Sequence, residues 1–477
     1  MRPGGIPAAV FPLRPESSFP LLNPSPGTAV PGEWVSYAGR DPPGGRGKNT
    51  RSARNGWEFA ESRGVPAPIM ERGRVDMTEN GKSSHEWERK HPGWLPLSGL
   101  LNAADPFFEK VLFLPGYEFS SNIYIVLGKY LSIVDPGNDY TSFIDLFRRG
   151  YKPADVKKVV VTHGHRDHAM GVFDLLRSYP TIMENGGFEF ILHEASPREL
   201  KDMVRKSGCR VTEVRGGETL EISGLDWEVI HTPGHTIDGI CLYHPQSRTV
   251  FSGDTVLLHA MSEPDEHAGG RLDHYLFGLR TLLGKEIDHV LPGHGLPVIS
   301  SGRKVIEETY EGLMLKVLGV DGKAKIPWIE GATALAQKGC LEEAAYCCDR
   351  ELLLDPQNRR AHQLKAVCLN DLGRFHEALE SLEKLTGIGP QDDADPFPLV
   401  GRGYALMGLG RYEESVKYFD EALQVTPGMK DALIYKGMAL YLAGSYDAAM
   451  EIELFRKEFV GRFQEELRRK DKGAGPA

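Results

Sequence analysis

Seven residues with metal-binding side chains occur in a fixed order along the chain: His163, His165, Asp167, His168, His235, Asp254 and His294. The first four are compressed into THGHRDH (162–168). The others close short apolar runs, in HTPGHT (231–236), FSGDT (251–255) and LPGHG (291–295). Imidazole nitrogens and carboxylate oxygens are zinc ligands, and a catalytic zinc keeps one position open for water. Folding alone calls for no such set at strand ends; a two-metal hydrolytic centre does. Alternation along a strand puts His163 and His165 on one side, where both rings can share one ion. Asp167 and His168 open the next helix and turn toward a second ion. The Thr-Pro-Gly turn before His235 bends the chain and presents the ring. Asp254 has two oxygens and can bridge both ions, and His294, between two glycines, completes the second site. Metal binding lowers the pKa of water from about 15.7 toward roughly 7. The expected nucleophile is therefore a metal-bound hydroxide attacking a carbonyl or phosphoryl centre. Asp167 is also the candidate catalytic group, orienting that nucleophile or moving its proton. Mixed His/Asp sites accept zinc, iron or manganese, and two divalent ions, zinc first among them, are the expected cofactors.

These side chains need a scaffold, and the texture between residues 95 and 310 supplies one. VLFLP, NIYIVLG, YLSIVDPG, VKKVVVTH, FEFILHEA, LDWEVIHTPG, ICLYHP, RTVFSGD and HVLPGH have the composition of strands. Residues 141–149, AMGVFDLLRSY, SPRELKDMVRKS and HYLFGLRTLLG have helical spacing. Strands and helices alternate, so the class is α/β. Every candidate ligand lies at or just beyond the C-terminal end of a strand, where α/β scaffolds hold their chemistry. His231 points away from His235 along its strand and reads as core or as support behind a ligand. His193 and Tyr275 are the candidates for substrate contact, with core and helix packing competing for both. Arg271 reads as a surface ion pair and Cys241 as a small core residue.

The constellation resembles the metallo-β-lactamase superfamily over roughly residues 95–310. HxHxDH is complete as His163, His165, Asp167 and His168, and the later motifs are present as His235, Asp254 and His294. Asp135, in VDPG, matches a family aspartate that supports the site by hydrogen bonding without being a ligand. The resemblance implies an αββα sandwich, with two mixed sheets inside, helices outside and the metals at one edge. Within the superfamily the chain is most similar to glyoxalase II-type hydrolases, which implies a small ester, thioester or lactone as substrate. Two alternatives compete. One is a small nuclease of the same fold; the 39 residues between Asp254 and His294 leave no room for the long insertion of the larger nucleases. The other is a mononuclear iron persulfide dioxygenase, which shares HxHxDH.

Beyond about residue 325 the pattern becomes helical only. Gly339, Gly373, Gly410 and Gly444 recur at intervals of 34, 37 and 34. Small residues recur in register at Ala332, Ala366, Gly403 and Gly437. This period resembles the tetratricopeptide repeat. About four units begin near 325, 359, 396 and 430, giving an all-α solenoid over 325–465 and a disordered tail over 466–477. Such solenoids present a concave face, which implies a protein or peptide partner or self-association.

The bulk numbers set the outer bounds. With 477 residues, two or three domains are expected. A net charge of −10 disfavours nucleic acid as a partner. No apolar run reaches the roughly 18 residues of a membrane span. Six cysteines without a CxxC pair fit reduced thiols in the cytoplasm. Residues 1–90, rich in Pro, Gly, Arg and Ser, are expected to be a disordered segment, or a leader upstream of a true start at Met70 or Met77.

Overall fold

The computed structural model describes residues 94–461, apart from 102–104, 117–118, 139–140, 186, 321–325 and 389–394. The expectations for residues 1–90 and 466–477 lie outside the described residues. Twelve strands are described: β1 Leu95–Pro96, β2 Val111–Leu114, β3 Ile123–Leu127, β4 Leu131–Val134, β5 Val156–Val160, β6 Glu189–His193, β7 Arg210–Val214, β8 Thr219–Ile222, β9 Leu225–His231, β10 Ile240–His244, β11 Thr249–Gly253 and β12 His289–Pro292. They form two sheets, ordered β1-β2-β3-β4-β5-β6-β7 and β12-β11-β10-β9-β8. Both are mixed. The first is antiparallel up to β4 and parallel from β4 to β7. In the second, only β11 and β12 run parallel.

The sheets face each other through aromatic side chains. Tyr124 of β3 meets Phe251 of β11 at 5.1 Å between ring centroids, and Trp227 of β9 lies 4.9 Å from Phe251. All three are buried, and burial of each side chain of this size contributes about 1.5–3 kcal/mol. Helices cover the outer faces. A short helix, α1 (Leu97–Leu101), follows β1 directly. Against the first sheet lie α2 (Thr141–Arg148), α4 (Gly171–Ser178) and α5 (Arg198–Lys206), which bury Phe143, Leu146, Val172, Leu175, Leu200 and Val204. Between β5 and α4 runs the single turn α3, Arg166–Ala169. Against the second sheet lie α6 (Leu272–Leu283) and α7 (Gly302–Leu318). The result is the α/β, four-layered sandwich with two mixed inner sheets.

Two features went unread in the sequence. Strands β7 and β8 are half exposed and polar, so no alternation marks them. The helix α7 buries Val305, Ile306, Thr309, Tyr310, Leu313 and Met314, yet six of its seventeen residues are charged, which dilutes its apolar stripe.

Eight further helices follow in four pairs: α8 Trp328–Gln337 with α9 Leu341–Leu354, α10 Arg359–Asp371 with α11 Phe375–Gly387, α12 Phe397–Gly408 with α13 Tyr412–Val425, and α14 Lys430–Leu442 with α15 Tyr446–Glu451. The turn inside each pair holds one glycine of the repeat, and Gly339, Gly373, Gly410 and Gly444 all adopt positive φ, 76–85°, where a Cβ is disfavoured. Residues 94–461 belong to one compact unit. A continuous core runs from Ile230 and Cys241 in the second sheet, through α6 and α7, to Ala332, Cys347 and Cys368 in the first repeats.

Candidate metal centre

The chain brings all seven candidate ligands together at one edge of the sandwich. Strand β5 ends at Val160, and the segment 161–165 carries His163 and His165 across to α3, which holds Asp167 and His168. His235 follows β9, Asp254 follows β11 and His294 follows β12. The loops are tied to one another through the backbone. Ser121 N–H donates to Asp167 O at 3.0 Å, Asn122 N–H to Gly293 O at 2.7 Å, and Gly293 N–H to Gly253 O at 2.7 Å. A Cβ on Gly293 would lie 2.4 Å from Asp254 Oδ1 and 2.6 Å from His168 Cε1. Glycine is therefore what lets the His294 strand end approach the other ligands.

The ligand atoms form three trios, each converging within 4.8 Å: His163/His165/His235 and Asp167/His168/His294, which have no member in common, and His163/His168/Asp254, which shares one residue with each. In the first, His165 Nδ1 is 3.0 Å from His163 Nε2 and 3.1 Å from His235 Nε2. In the second, Asp167 Oδ2 is 3.0 Å from His294 Nε2 and 3.6 Å from His168 Nε2. Asp254 lies between them, with Oδ2 at 3.7 Å from His235 and 3.6 Å from His294, and Oδ1 at 3.4 Å from His168. The inner members His163, His168 and Asp254 are buried, whereas His165, Asp167 and His294 are partly open to solvent.

The far nitrogens of the rings have acceptors that set their tautomers. Asp135 Oδ1 accepts from Thr162 N–H at 2.7 Å, and its Oδ2 accepts from the Thr162 hydroxyl at 2.8 Å and from His168 Nδ1–H at 2.9 Å. Having donated to Asp135, the Thr162 hydroxyl accepts from His163 Nδ1–H at 3.2 Å. His235 Nδ1–H donates to Glu263 O at 2.6 Å. In a neutral imidazole only one nitrogen carries hydrogen, so the Nε2 atoms of His163 and His235 enter their trio as bare lone pairs. Two buried atoms, His168 Nε2 and Asp254 Oδ1, have no hydrogen-bond partner. Leaving such groups unsatisfied costs about 1–3 kcal/mol each, and a cation bridging them satisfies both. By donor type, convergence and tautomer, the residues fit divalent metal.

The electrostatics agree. Burial opposes ionisation of Asp254, but the charge of His168, with His163 and His294, holds its carboxyl far below the usual carboxylate range. Burial likewise works against Asp167, and the hydrogen bond from His294 and the charge of His168 bring it below its ordinary value. Burial, and then the charge of His168, depress His163. Burial also depresses His235 against the pull of Asp254. At His168, burial is outweighed by Asp254 and Asp135, which raise it well above the usual imidazole range. Those carboxylates attract a cation to this point, whether a proton or a metal ion.

Other sequence candidates fall elsewhere. Tyr275 is buried, and its hydroxyl donates to Asp254 O at 3.1 Å and Thr255 O at 2.9 Å; it tethers the Asp254 loop and does not face the opening. His193 is buried and stacks on His231 at 4.1 Å, with its Nδ1 accepting from Ala195 N–H at 3.1 Å. Arg271 pairs with Asp273 on the surface at 2.8 Å. Two polar contacts were not read from the sequence. Asn122 Nδ2 donates to Pro292 O at 2.9 Å and Gly295 O at 2.7 Å, flanking His294. Asp265 Oδ2 lies 3.1 Å from His165 Nε2. The sequence signal for the latter is its place in the polar segment DEHAGG (265–270), between Asp254 and His294.

Residues 116–294 match the family model of the metallo-beta-lactamase superfamily, and residues 330–393 and 400–456 match the tetratricopeptide repeat. Among curated proteins, the chain is 31% identical over 201 residues to the "Probable metallo-hydrolase MJ0888" of Methanocaldococcus jannaschii, covering 39% of this chain and 92% of that one. It is 28% identical over 191 residues to the atrochrysone carboxyl ACP thioesterase AgnL7 of Paecilomyces divaricatus, covering 39% of this chain and 54% of that one. The chain thus spans about half the length of the thioesterases it matches. Among solved structures, the metallo-beta-lactamase family protein TTHA1429 from Thermus thermophilus is similar at 20% identity and a TM-score of 0.35, over 48% of this chain and 94% of that one.

Proposed function

The chain belongs to the metallo-beta-lactamase superfamily, and from that premise we propose that it is a binuclear metal-dependent hydrolase of a small ester, thioester or lactone. The observation that carries this reading is the pair of disjoint trios with Asp254 between them. His163, His165 and His235 would hold one ion, Asp167, His168 and His294 the other, and Asp254 both. Zinc is the first assignment. Thioesterase names among the relatives favour a thioester within the class. Bound ions supply Lewis acidity toward the substrate carbonyl and a water nucleophile at neutral pH. The chain's residues do the rest. Asp135 and Thr162 orient His168 and His163. Asp254 and Asp167 are held ionised by the surrounding imidazoles. Asp167, hydrogen-bonded to His294 and partly open to solvent, is assigned the orientation of the attacking water and the transfer of its proton toward the leaving group. The repeats are assigned a protein or peptide partner, or self-association. Among the described residues, no helix is long and apolar enough to cross a membrane.

The test is elemental analysis of the full chain followed by a panel of acyl thioesters, lactones and phosphodiesters. About two equivalents of metal, with thioester or lactone turnover lost on chelation and in His163→Ala, is the expected result. Turnover that survives His163→Ala would sink the reading. Turnover of phosphodiesters alone would move it to a nuclease, and iron-dependent oxygen uptake to a dioxygenase.

A further inference from the structure

We propose that Asp265 is the positioning residue of the first trio, holding the ring of His165 with its side chain and the backbone of His235 with its main chain. The proposal rests on the metal reading above. Asp265 Oδ2 lies 3.1 Å from His165 Nε2. A carboxylate only accepts, so the imidazole hydrogen sits on Nε2 and Nδ1 is left bare, facing His163 Nε2 and His235 Nε2. The other two rings of the trio are anchored by neutral acceptors, the Thr162 hydroxyl and the Glu263 carbonyl. His165 is the one held by a charged group, and charge-assisted hydrogen bonds are roughly twice as strong as neutral ones.

The carboxylate is itself fixed. Its Oδ1 accepts from the backbone N–H of His267 at 2.9 Å and of Ala268 at 3.3 Å. Asp265 N–H donates to His235 O at 2.8 Å. The same loop closes on the His235 turn at two more points, Ile237 N–H to Ala268 O and Arg271 N–H to Gly234 O, both 2.9 Å. Gly270 completes the closure by donating to Asp265 O at 2.7 Å. A Cβ there would fall 2.3 Å from His235 O and 2.5 Å from Asp265 N, so the loop needs glycine at this position. One residue thus couples two ligands that lie 70 positions apart in sequence.

The experiment uses the full chain as wild type, Asp265→Asn, Asp265→Glu and Glu266→Gln, the last removing an exposed neighbouring charge. Cobalt(II) is titrated and followed by its visible absorption, competed against a chelator, and thermal melting is recorded for each variant. An amide in place of the carboxylate can serve the backbone N–H groups but no longer selects the Nε2–H tautomer. The expected result is an Asp265→Asn protein that keeps one cobalt site and binds the other 10–100-fold more weakly. Asp265→Glu regains part of that affinity, and Glu266→Gln binds as wild type. Asp265→Asn with wild-type spectrum and affinity at both sites overturns the proposal. So does loss of both sites together with a collapsed melting transition, because the role is then general folding. Wild type that takes up no cobalt overturns the metal reading itself, and the Asp265 role falls with it.

Discussion

Asp135 gathers three hydrogen bonds onto one buried carboxylate, from the Thr162 amide, the Thr162 hydroxyl and His168 Nδ1. It does so from a left-handed backbone conformation, φ 52°, which asparagine also adopts readily. Asp135→Asn therefore leaves the backbone alone and tests the carboxylate. An amide has one acceptor oxygen, so at least one donor is left facing an N–H group, at a cost of about 1–3 kcal/mol. The midpoint of urea unfolding should fall accordingly, and metal affinity at the Asp167/His168/His294 trio should weaken 10–100-fold. An Asp135→Asn chain with unchanged midpoint and affinity would show that His168 needs no anchor. The seven candidate ligands were legible because residue type and spacing carry the information locally, and Asp135 only through the family resemblance of VDPG. Asp265 was not, because its relation to His165 spans 100 residues and exists only after the loops meet. Tyr275 shows the opposite case, since its sequence position left substrate contact and helix packing in competition, and its hydroxyl turns inward to two carbonyls.

Helix α6 shows how an element can hold a site without contributing a ligand. Its first turns carry Tyr275, whose hydroxyl fixes the Asp254 and Thr255 carbonyls from behind. Tyr275→Phe keeps the buried ring and removes only the two hydrogen bonds. The expected loss is about 1–3 kcal/mol in stability, with a fall in kcat because Asp254 is less firmly held between the trios. Circular-dichroism melts and steady-state kinetics check both, and unchanged kcat at reduced stability would make the tether purely structural. At this scale much was readable. Strands such as Ile123–Leu127 and Thr249–Gly253 are continuous apolar runs between turns, and the repeats announce themselves by period. What escaped were elements whose stabilisation comes from neighbours. The half-exposed β7 and β8 are ordered by their pairing with β6 and β9, and α7 by the helices on either side of it.

The whole molecule is held together where α6 and α7 meet the first repeat. Glu343 of α9 is 4% exposed at its side chain, pairs with Arg280 of α6 and accepts from the Tyr310 hydroxyl of α7 at 2.9 Å. Tyr346 of α9 donates to Glu311 of α7 at 2.9 Å. The two helices also reach the metal site, α6 through Tyr275 and α7 through Lys316, which pairs with Glu263 beside the carbonyl that anchors His235. Between these polar links the hydrolase core continues into the repeat core without a gap in apolar packing. A recruitment module joined by a flexible tether would show none of this. Breaking a fully buried ion pair costs about 3–5 kcal/mol. Arg280 keeps about a third of its side chain in solvent, so Glu343→Gln should cost less, about 1–3 kcal/mol. Deleting residues 325–477 should do far more, because it uncovers Met314, fully buried in the intact chain and in contact with Cys347 of α9, and opens the core that α6 and α7 share with the first repeats. The truncated protein is expected to aggregate or bind a hydrophobic dye, and to lose turnover along with its fold. A soluble truncation that melts cooperatively and keeps wild-type kcat/KM would instead show that the sandwich stands alone and that the repeats are an appendage.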